Sequence, residues 1–185
     1  LVMTGFCFAL FGVGGLLLSL VWFNLLLIVQ RDRASRRRLA RCSIAASFRF
    51  FLTVARGLGV LDYRIHNLDA LRNDRGCLVV ANHPTLIDYV ILASVMPETD
   101  CLVKSEAGLA ASQRRLAKGA TLLIFPEGTR TRFGEAISLQ RGAANIAVRC
   151  NSDLRVVLIH CSEHLLDKKS RWYDVPPEKP VFTVD

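Results

Sequence analysis

The chain has 185 residues, of which 51% are hydrophobic, and a formal net charge of +8. This length supports one domain with its own hydrophobic core and is short for two. Many positive charges are clustered directly after an apolar stretch, at Arg31, Arg33, Arg36, Arg37, Arg38 and Arg41. A cationic belt in that position favours anionic membrane phospholipid as the partner and argues against a nucleic-acid-binding protein.

The six cysteines lie at positions 7, 42, 77, 101, 150 and 161, and no two of them form a Cys-x-x-Cys pair. This spacing fits neither a zinc site nor a disulfide framework, so no metal ligands are predicted. Free thiols are typical of a reducing compartment. We therefore expect the globular part of the protein to face the cytoplasm.

The N-terminal segment from Gly5 to Val29 contains no charged residue. A helix of that length, at about 1.5 Å per residue, exceeds the roughly 30 Å hydrocarbon core of a bilayer. The segment predicts one spanning helix or, because Gly12, Gly14 and Gly15 weaken its centre, a helical hairpin in one leaflet. The arginines that follow would hold its C-terminal end in the cytoplasm, and we expect a bacterial inner membrane.

The next stretch, Ser43 to Leu61, interleaves aromatic and aliphatic residues with Arg49 and Arg56. It predicts a helix that lies in the membrane interface while its arginines reach the head groups, or a helix that packs on the domain core. Both interpretations stay open. We divide the chain into membrane-embedded and interfacial helices over 1–60 and a globular domain over 61–185.

Short runs rich in Val, Ile and Leu predict buried strands in the globular domain. They are Leu61–Ile65, Cys77–Ala81, Cys101–Lys104, Thr121–Phe125, Arg155–His160 and Val181–Val184. Helices are predicted between them, over Leu86–Met96, Ala107–Lys118 and Leu139–Cys150. This alternation predicts an α/β fold, with a mixed, largely parallel sheet flanked by helices and preceded by the membrane-embedded helix or hairpin.

The first polar motif, Asn82-His83-Pro84-Thr85-Leu86-Ile87-Asp88, follows the second predicted strand. Residues that end a strand of an α/β sheet lie at its carboxyl edge, where active sites form. Asp88 can fold back to hold one imidazole nitrogen of His83, which leaves the other as a general base. Backbone N–H groups at the helix start could stabilise a developing oxyanion. Taken alone, the pair also fits a structural histidine.

The second polar motif, Phe125-Pro126-Glu127-Gly128-Thr129-Arg130, follows the fourth predicted strand. Gly128 permits a tight turn and a close backbone approach to a ligand. Arg130 offers a planar fork suited to phosphate, and Glu127 could accept a hydrogen bond from a hydroxyl or orient an arginine. Taken alone, the hexapeptide also fits a polar turn with a solvated ion pair.

Together, and in this order, the two motifs resemble those of the lysophospholipid acyltransferase family, which contains the 1-acylglycerol-3-phosphate acyltransferases. The resemblance covers the chain from about Leu61 onward. It implies that His83 is the catalytic base and Asp88 its partner. It further implies that the acceptor's phosphate and glycerol are bound by Glu127, Gly128, Thr129 and Arg130. The second motif is more similar to enzymes that acylate lysophosphatidic acid than to those that acylate glycerol 3-phosphate.

The resemblance implies an O-acyltransferase that moves a fatty acyl group to the free hydroxyl of a lysophospholipid such as 1-acylglycerol 3-phosphate. The donor would be an acyl thioester, either acyl-CoA or acyl-carrier protein, and no cofactor is implied. Neither motif places a serine or cysteine as a nucleophile, so we expect direct transfer without an acyl-enzyme. We expect the His83 edge of the sheet near the bilayer, with Arg36–Arg41 and Arg49 close to head groups.

Two alternatives to this function stay open. One is the same chemistry on another acceptor, such as a lyso-aminolipid or glycerol 3-phosphate. The other is a non-catalytic lipid-binding protein of the same fold.

The spacing between the motifs departs from the family pattern. Members of the family carry a further strand-bearing block there, with an arginine that contacts phosphate, whereas only sixteen residues separate Lys104 from Thr121 here. Either the chain has lost this block or residues are missing from the sequence near Ser105 or Glu106. We expect the second, because the chain starts without methionine and stops within a predicted strand.

Overall fold

An apolar helix forms the N-terminus of the computed structural model, which describes residues 1–102, 109–131, 135–163, 165–166, 171 and 173–185. It comprises α1 (Val2–Leu17), a π-helical turn (Leu18–Trp22) and α2 (Phe23–Val29). This helix is long and apolar enough to cross a membrane, and most of its residues are exposed. It runs through its glycines without a break, so the segment is one helix and does not fold back on itself.

The next helix, α3 (Arg33–Gly57), runs antiparallel to the first. Asp32 caps it by accepting a hydrogen bond from the Ser35 backbone N–H at 2.8 Å. The Phe11 ring of α1 lies 5.1 Å from the Phe51 ring of α3, measured between centroids. The predicted helix over Ser43–Leu61 is therefore the second half of a longer one. Because Leu52 on its inner face is fully buried, the core-packed interpretation fits this helix.

Arg41 of α3 lies away from His83. Arg41 pairs with Glu98 and with Asp100, which is at the amino end of its strand, whereas His83 follows a strand's carboxyl end. The structure thus places Arg41 and His83 at opposite edges of the sheet, and the closeness of Arg36–Arg41 to lipid head groups stays a prediction. The reason for this separation is length, since a helix of 25 residues separates its ends by about 37 Å. Arg49 donates to the Ser94 carbonyl at 2.9 Å.

Strands and helices alternate over residues 62–157, as predicted, and two further strands follow. The strands are β1 (Asp62–Ile65), β2 (Leu78–Ala81), β3 (Thr99–Leu102), β4 (Thr121–Ile124), β5 (Leu154–Val157), β6 (Ile159–Cys161) and β7 (Val181–Val184). The helices are α4 (Leu68–Asn73), α5 (Asp88–Val95), α6 (Leu109–Leu116) and α7 (Arg141–Cys150). The predicted α/β class is confirmed, and α4 is an additional helix that the sequence reading missed.

The strands form two sheets instead of the one expected. In the first, the order is β3-β4-β2-β5, and every pair is parallel. In the second, β7 pairs in parallel with β1 and antiparallel with β6. The single strand predicted over Arg155–His160 is wrong, because the chain changes sheets at Leu158 between β5 and β6.

Both faces of the four-stranded sheet are covered by helices. Leu78 and Leu122 pack with Ile146 of α7 on one face, and Val79 and Leu123 lie in the core cluster that includes residues of α3 and α5 on the other. Central strands covered on both sides must be apolar at every position, which explains their unbroken aliphatic runs. The expected break near Ser105 or Glu106 falls outside the described residues.

Candidate functional site

The two polar motifs meet because they follow neighbouring parallel strands. β2 and β4 pair in register from Leu78 with Leu122 to Val80 with Ile124, so their carboxyl ends lie side by side. The His83 backbone N–H donates to Glu127 Oε1 at 2.7 Å. The Thr131 backbone N–H donates to the His83 carbonyl at 3.0 Å. Three residues that the sequence assigned to one site, His83, Asp88 and Glu127, are thus brought together at one edge of the sheet.

The imidazole of His83 is held by a buried carboxylate. Its Nδ1 lies 2.9 Å from Asp88 Oδ2, and the two side chains are 20% and 0% exposed respectively. Because the carboxylate is an acceptor, Nδ1 carries the proton and Nε2 has a lone pair available to take another. The Phe125 ring stacks on the imidazole with centroids 4.4 Å apart, which fixes the ring plane.

Two further residues of the first motif shape the site, and the sequence reading gave them no role. Thr85 donates to Asp88 through its backbone N–H at 2.7 Å and through its hydroxyl at 2.6 Å. Asn82 exchanges two hydrogen bonds with the backbone of Ile159, at 2.6 and 2.7 Å. The contact between Thr85 and Asp88 could have been predicted, because a threonine three residues before an Asp that starts a helix commonly forms such a local hydrogen bond. No local signal pointed to the second, because its partner is far away in sequence.

The three amides of the turn before α5 do not supply the expected oxyanion site, which stays a prediction for the first turn of the helix itself. The Thr85 N–H donates to Asp88, and the Ile87 N–H donates to the Thr85 hydroxyl at 3.2 Å. The Leu86 N–H is directed at the Leu166 carbonyl, 3.3 Å away. Each of these amides already has an acceptor, because the short polar turn before the helix satisfies its own backbone.

The second motif turns beside His83. Gly128 has a φ of +68°, which only glycine adopts readily, and Thr129 is exposed at the tip of the turn. Arg130 donates through Nη1 to the Leu166 carbonyl at 2.8 Å. The same carbonyl faces the Leu86 N–H of the first motif. The turn over 165–166 therefore bridges the two motifs.

An apolar cavity of about 400 Å³ lies next to His83. Its lining comes from α1, α3, the start of α5 and the turn at 165–166, and includes Phe8, Phe11, Phe51, Leu86, Ile87 and Leu165. A cavity of this size falls within the range of ligand sites, and its lining is mainly apolar with His83 at its wall. The N-terminal helices are thus part of the site, which the sequence reading assigned to the globular domain alone.

Glu127 is the buried charge of the second motif. Only 4% of it is exposed, and its Oε2 has no hydrogen-bond partner among the described residues. Burial raises the pKa of this carboxyl above its ordinary value of 4.5, although the hydrogen bond from the His83 N–H opposes the shift. The folded state therefore holds the Glu127 proton more tightly than the unfolded chain does.

Glu127→Gln is expected to change the pH dependence of stability. With a raised folded pKa, the stability that Glu127 contributes is fully present below pH 4.5 and is lost as the pH rises through the folded pKa. The glutamine should remove that decline while its amide oxygen still accepts the His83 N–H. Denaturant titrations of both proteins from acid to neutral pH measure this, with exposed Glu178→Gln as the matched control. Parallel curves for wild type and E127Q would contradict it.

Comparisons with known proteins agree with this geometry. A family model described as Acyltransferase matches residues 103–162, a segment that includes the second motif and begins after the first. The crystal structure of the 1-acyl-sn-glycerophosphate (LPA) acyltransferase PlsC from Thermotoga maritima superposes with a TM-score of 0.71. That match has 20% sequence identity and covers 97% of this chain and 82% of the other. This chain has the acyltransferase fold. The predicted family resemblance is confirmed.

A curated relative extends the comparison to sequence. A Caenorhabditis elegans protein named "Putative 1-acyl-sn-glycerol-3-phosphate acyltransferase acl-2" is 25% identical over 139 residues, which cover 58% of this chain and 49% of that protein. The chain spans about half the length of this relative. The name of this relative states an acceptor, 1-acyl-sn-glycerol 3-phosphate.

Proposed function

We propose that the protein is an O-acyltransferase that transfers a fatty acyl group from an acyl thioester to the free hydroxyl of 1-acylglycerol 3-phosphate. The observation that carries this proposal is the position of His83. Its Nδ1 is bound to the buried carboxylate of Asp88 and its ring lies at the wall of an apolar cavity. A general base beside a space suited to an acyl chain is what transfer between lipids requires.

The proposed chemistry is a direct transfer in which His83 moves the proton. Nε2 takes the proton of the acceptor hydroxyl while that oxygen forms a bond to the thioester carbonyl carbon. The imidazolium that results is stabilised by the carboxylate of Asp88. When the tetrahedral intermediate collapses, the carbon–sulfur bond breaks, and the proton passes from His83 to the leaving thiolate. No acyl-enzyme forms in this sequence.

The second motif supplies acceptor binding in this proposal. Gly128 and Thr129 are exposed in the turn beside His83, and Arg130 stands next to them. The Arg130 guanidinium suits a phosphate group, whereas the Gly128 N–H already donates to the Phe125 carbonyl at 3.1 Å. Glu127 is buried behind this turn and holds the His83 backbone, so it acts by fixing the position of the base.

We further propose that the protein works at a membrane surface with its globular domain in the cytoplasm. The exposed apolar surface of α1 and α2 supports attachment to lipid, since contiguous apolar surface of this extent is rarely left in water. The arginines that follow α2 support the cytoplasmic side by the excess of positive charge there. Acceptor and product would then both remain in the bilayer next to the cavity.

An acceptor panel tests the proposed function. Purified protein in lipid vesicles is given acyl-CoA or acyl-carrier protein, with 1-acylglycerol 3-phosphate, glycerol 3-phosphate or a lyso-aminolipid, and products are identified by mass spectrometry. Phosphatidic acid as the preferred product is the expected result. Preference for another acceptor would replace the proposed one, and vesicle binding without any transfer would favour a lipid-binding protein.

A further inference from the structure

We propose that Thr85 is a positioning residue that keeps the Asp88 carboxylate aligned on His83. The inference deepens the proposed function and rests on it. Thr85 is 2% exposed, so it does not face the cavity or solvent. Its effect on the reaction would therefore pass entirely through Asp88.

The hydrogen bonds around Asp88 give each of its oxygens a fixed donor. Oδ2 receives the His83 Nδ1–H at 2.9 Å and the Thr85 backbone N–H at 2.7 Å. Oδ1 receives the Thr85 hydroxyl at 2.6 Å. The shortest of these contacts comes from the Thr85 hydroxyl, so a substitution at residue 85 can remove it while the His83 side chain stays in place.

The direction of the hydroxyl proton follows from its second partner. The Ile87 N–H donates to the Thr85 oxygen at 3.2 Å, so that oxygen is already an acceptor on one side. A hydroxyl carries one proton, and here its remaining partner is the carboxylate. The Ile87 amide thus holds the hydroxyl with its proton directed at Oδ1.

Removing this donor would leave a charged oxygen buried without compensation. Asp88 is fully buried, so water does not replace the lost hydrogen bond, and the carboxylate is then free to rotate out of its present orientation. That rotation weakens its hold on Nδ1 of His83. We expect kcat to fall by about tenfold, the effect of one hydrogen bond to a charged group. KM should stay unchanged because Thr85 does not reach the substrates.

Thr85→Val tests this, since valine keeps the shape and removes the donor. Thr85→Ser should restore kcat, and Thr85→Cys, a weak donor, should lie between the two. The matched control is Thr121→Val. Thr121 is also buried, 1% exposed, and its hydroxyl donates to the Asp74 carbonyl at 3.1 Å, at the amino end of β4. T121V should lose stability without losing kcat.

A second readout does not need turnover. The Nδ1–H proton of His83, assigned by its loss in His83→Gln, is followed by NMR in each variant. In T85V this signal should shift and exchange faster with water, while in T85S and T121V it should match wild type. If wild type transfers no acyl group, the proposed function fails, and this signal still decides the role of Thr85. An unchanged Nδ1–H signal in T85V, or T85S and T85V that behave alike, would overturn the inference.

Discussion

Replacing His83 by alanine is expected to lower kcat by about 10² to 10⁴-fold, the range that a positioned acid–base residue contributes. In the proposed reaction His83 takes the hydroxyl proton and later returns it to the thiolate. Among the described residues, His83 alone has a side-chain nitrogen hydrogen-bonded to Asp88. KM should change little, because the acyl chain and the phosphate are bound by other groups. Initial rates with phosphatidic acid as the measured product provide the test.

The control for this variant is another histidine. His160 is exposed on β6, where its strand partner is Thr183 of β7, so His160→Ala should leave kcat unchanged. Circular dichroism and vesicle flotation should give the same result for both variants and for wild type, because neither removes core packing. An H83A protein that folds, binds vesicles and retains wild-type kcat would exclude His83 as the base.

The meeting of the two motifs could be predicted from the sequence. Each follows a short aliphatic strand, and parallel strands place their carboxyl ends at one edge. The sequence did not indicate whether β2 and β4, the strands before the two motifs, are neighbours. The strand order β3-β4-β2-β5 shows that they are. The contact from the His83 N–H to Glu127 depends on that order. Strand order is set by the packing of the whole domain, and local pattern does not contain it.

The parts of the site that could not be predicted involve distant backbone. Asn82 bonds to Ile159, and Leu166 faces both motifs through its carbonyl. A carbonyl is present at every residue, so no residue type marks such a partner in advance. The break at Leu158 was hidden for a similar reason, because the aliphatic run continues across it while the strand changes sheets.

The packing of the N-terminal helices could not be predicted from the sequence either. Composition alone identified an apolar helix, and the structure has one over residues 2–29. It did not indicate that Cys7 would be buried against the domain or that Phe11 would meet Phe51 beside the cavity. A helix that is apolar on all sides has no pattern to reveal which side packs.

Asp88→Asn is expected to lower kcat by about 10²-fold, which is at the lower end of the acid–base range. The reason lies in the fixed donors around Asp88. The Thr85 backbone N–H points at Oδ2, so the amide oxygen of asparagine is held at that position and its NH₂ group faces the Thr85 hydroxyl. The oxygen can still accept the Nδ1–H of His83. The tautomer is therefore kept, and only the charge that stabilises the imidazolium is lost.

The matched control for this change is Asp74→Asn. Asp74 makes a two-point ion pair with Arg155, at 2.7 and 2.8 Å, in which Arg155 belongs to the edge strand β5. Its replacement should affect stability and leave kcat unchanged. A loss in D88N as large as that in H83A would mean that the NH₂ group faces His83 and has forced the other tautomer. In the expected orientation, adding Thr85→Val to D88N should lower kcat by a smaller factor than adding it to wild type. The reason is that D88N has already removed the negative charge to which the Thr85 hydroxyl donates.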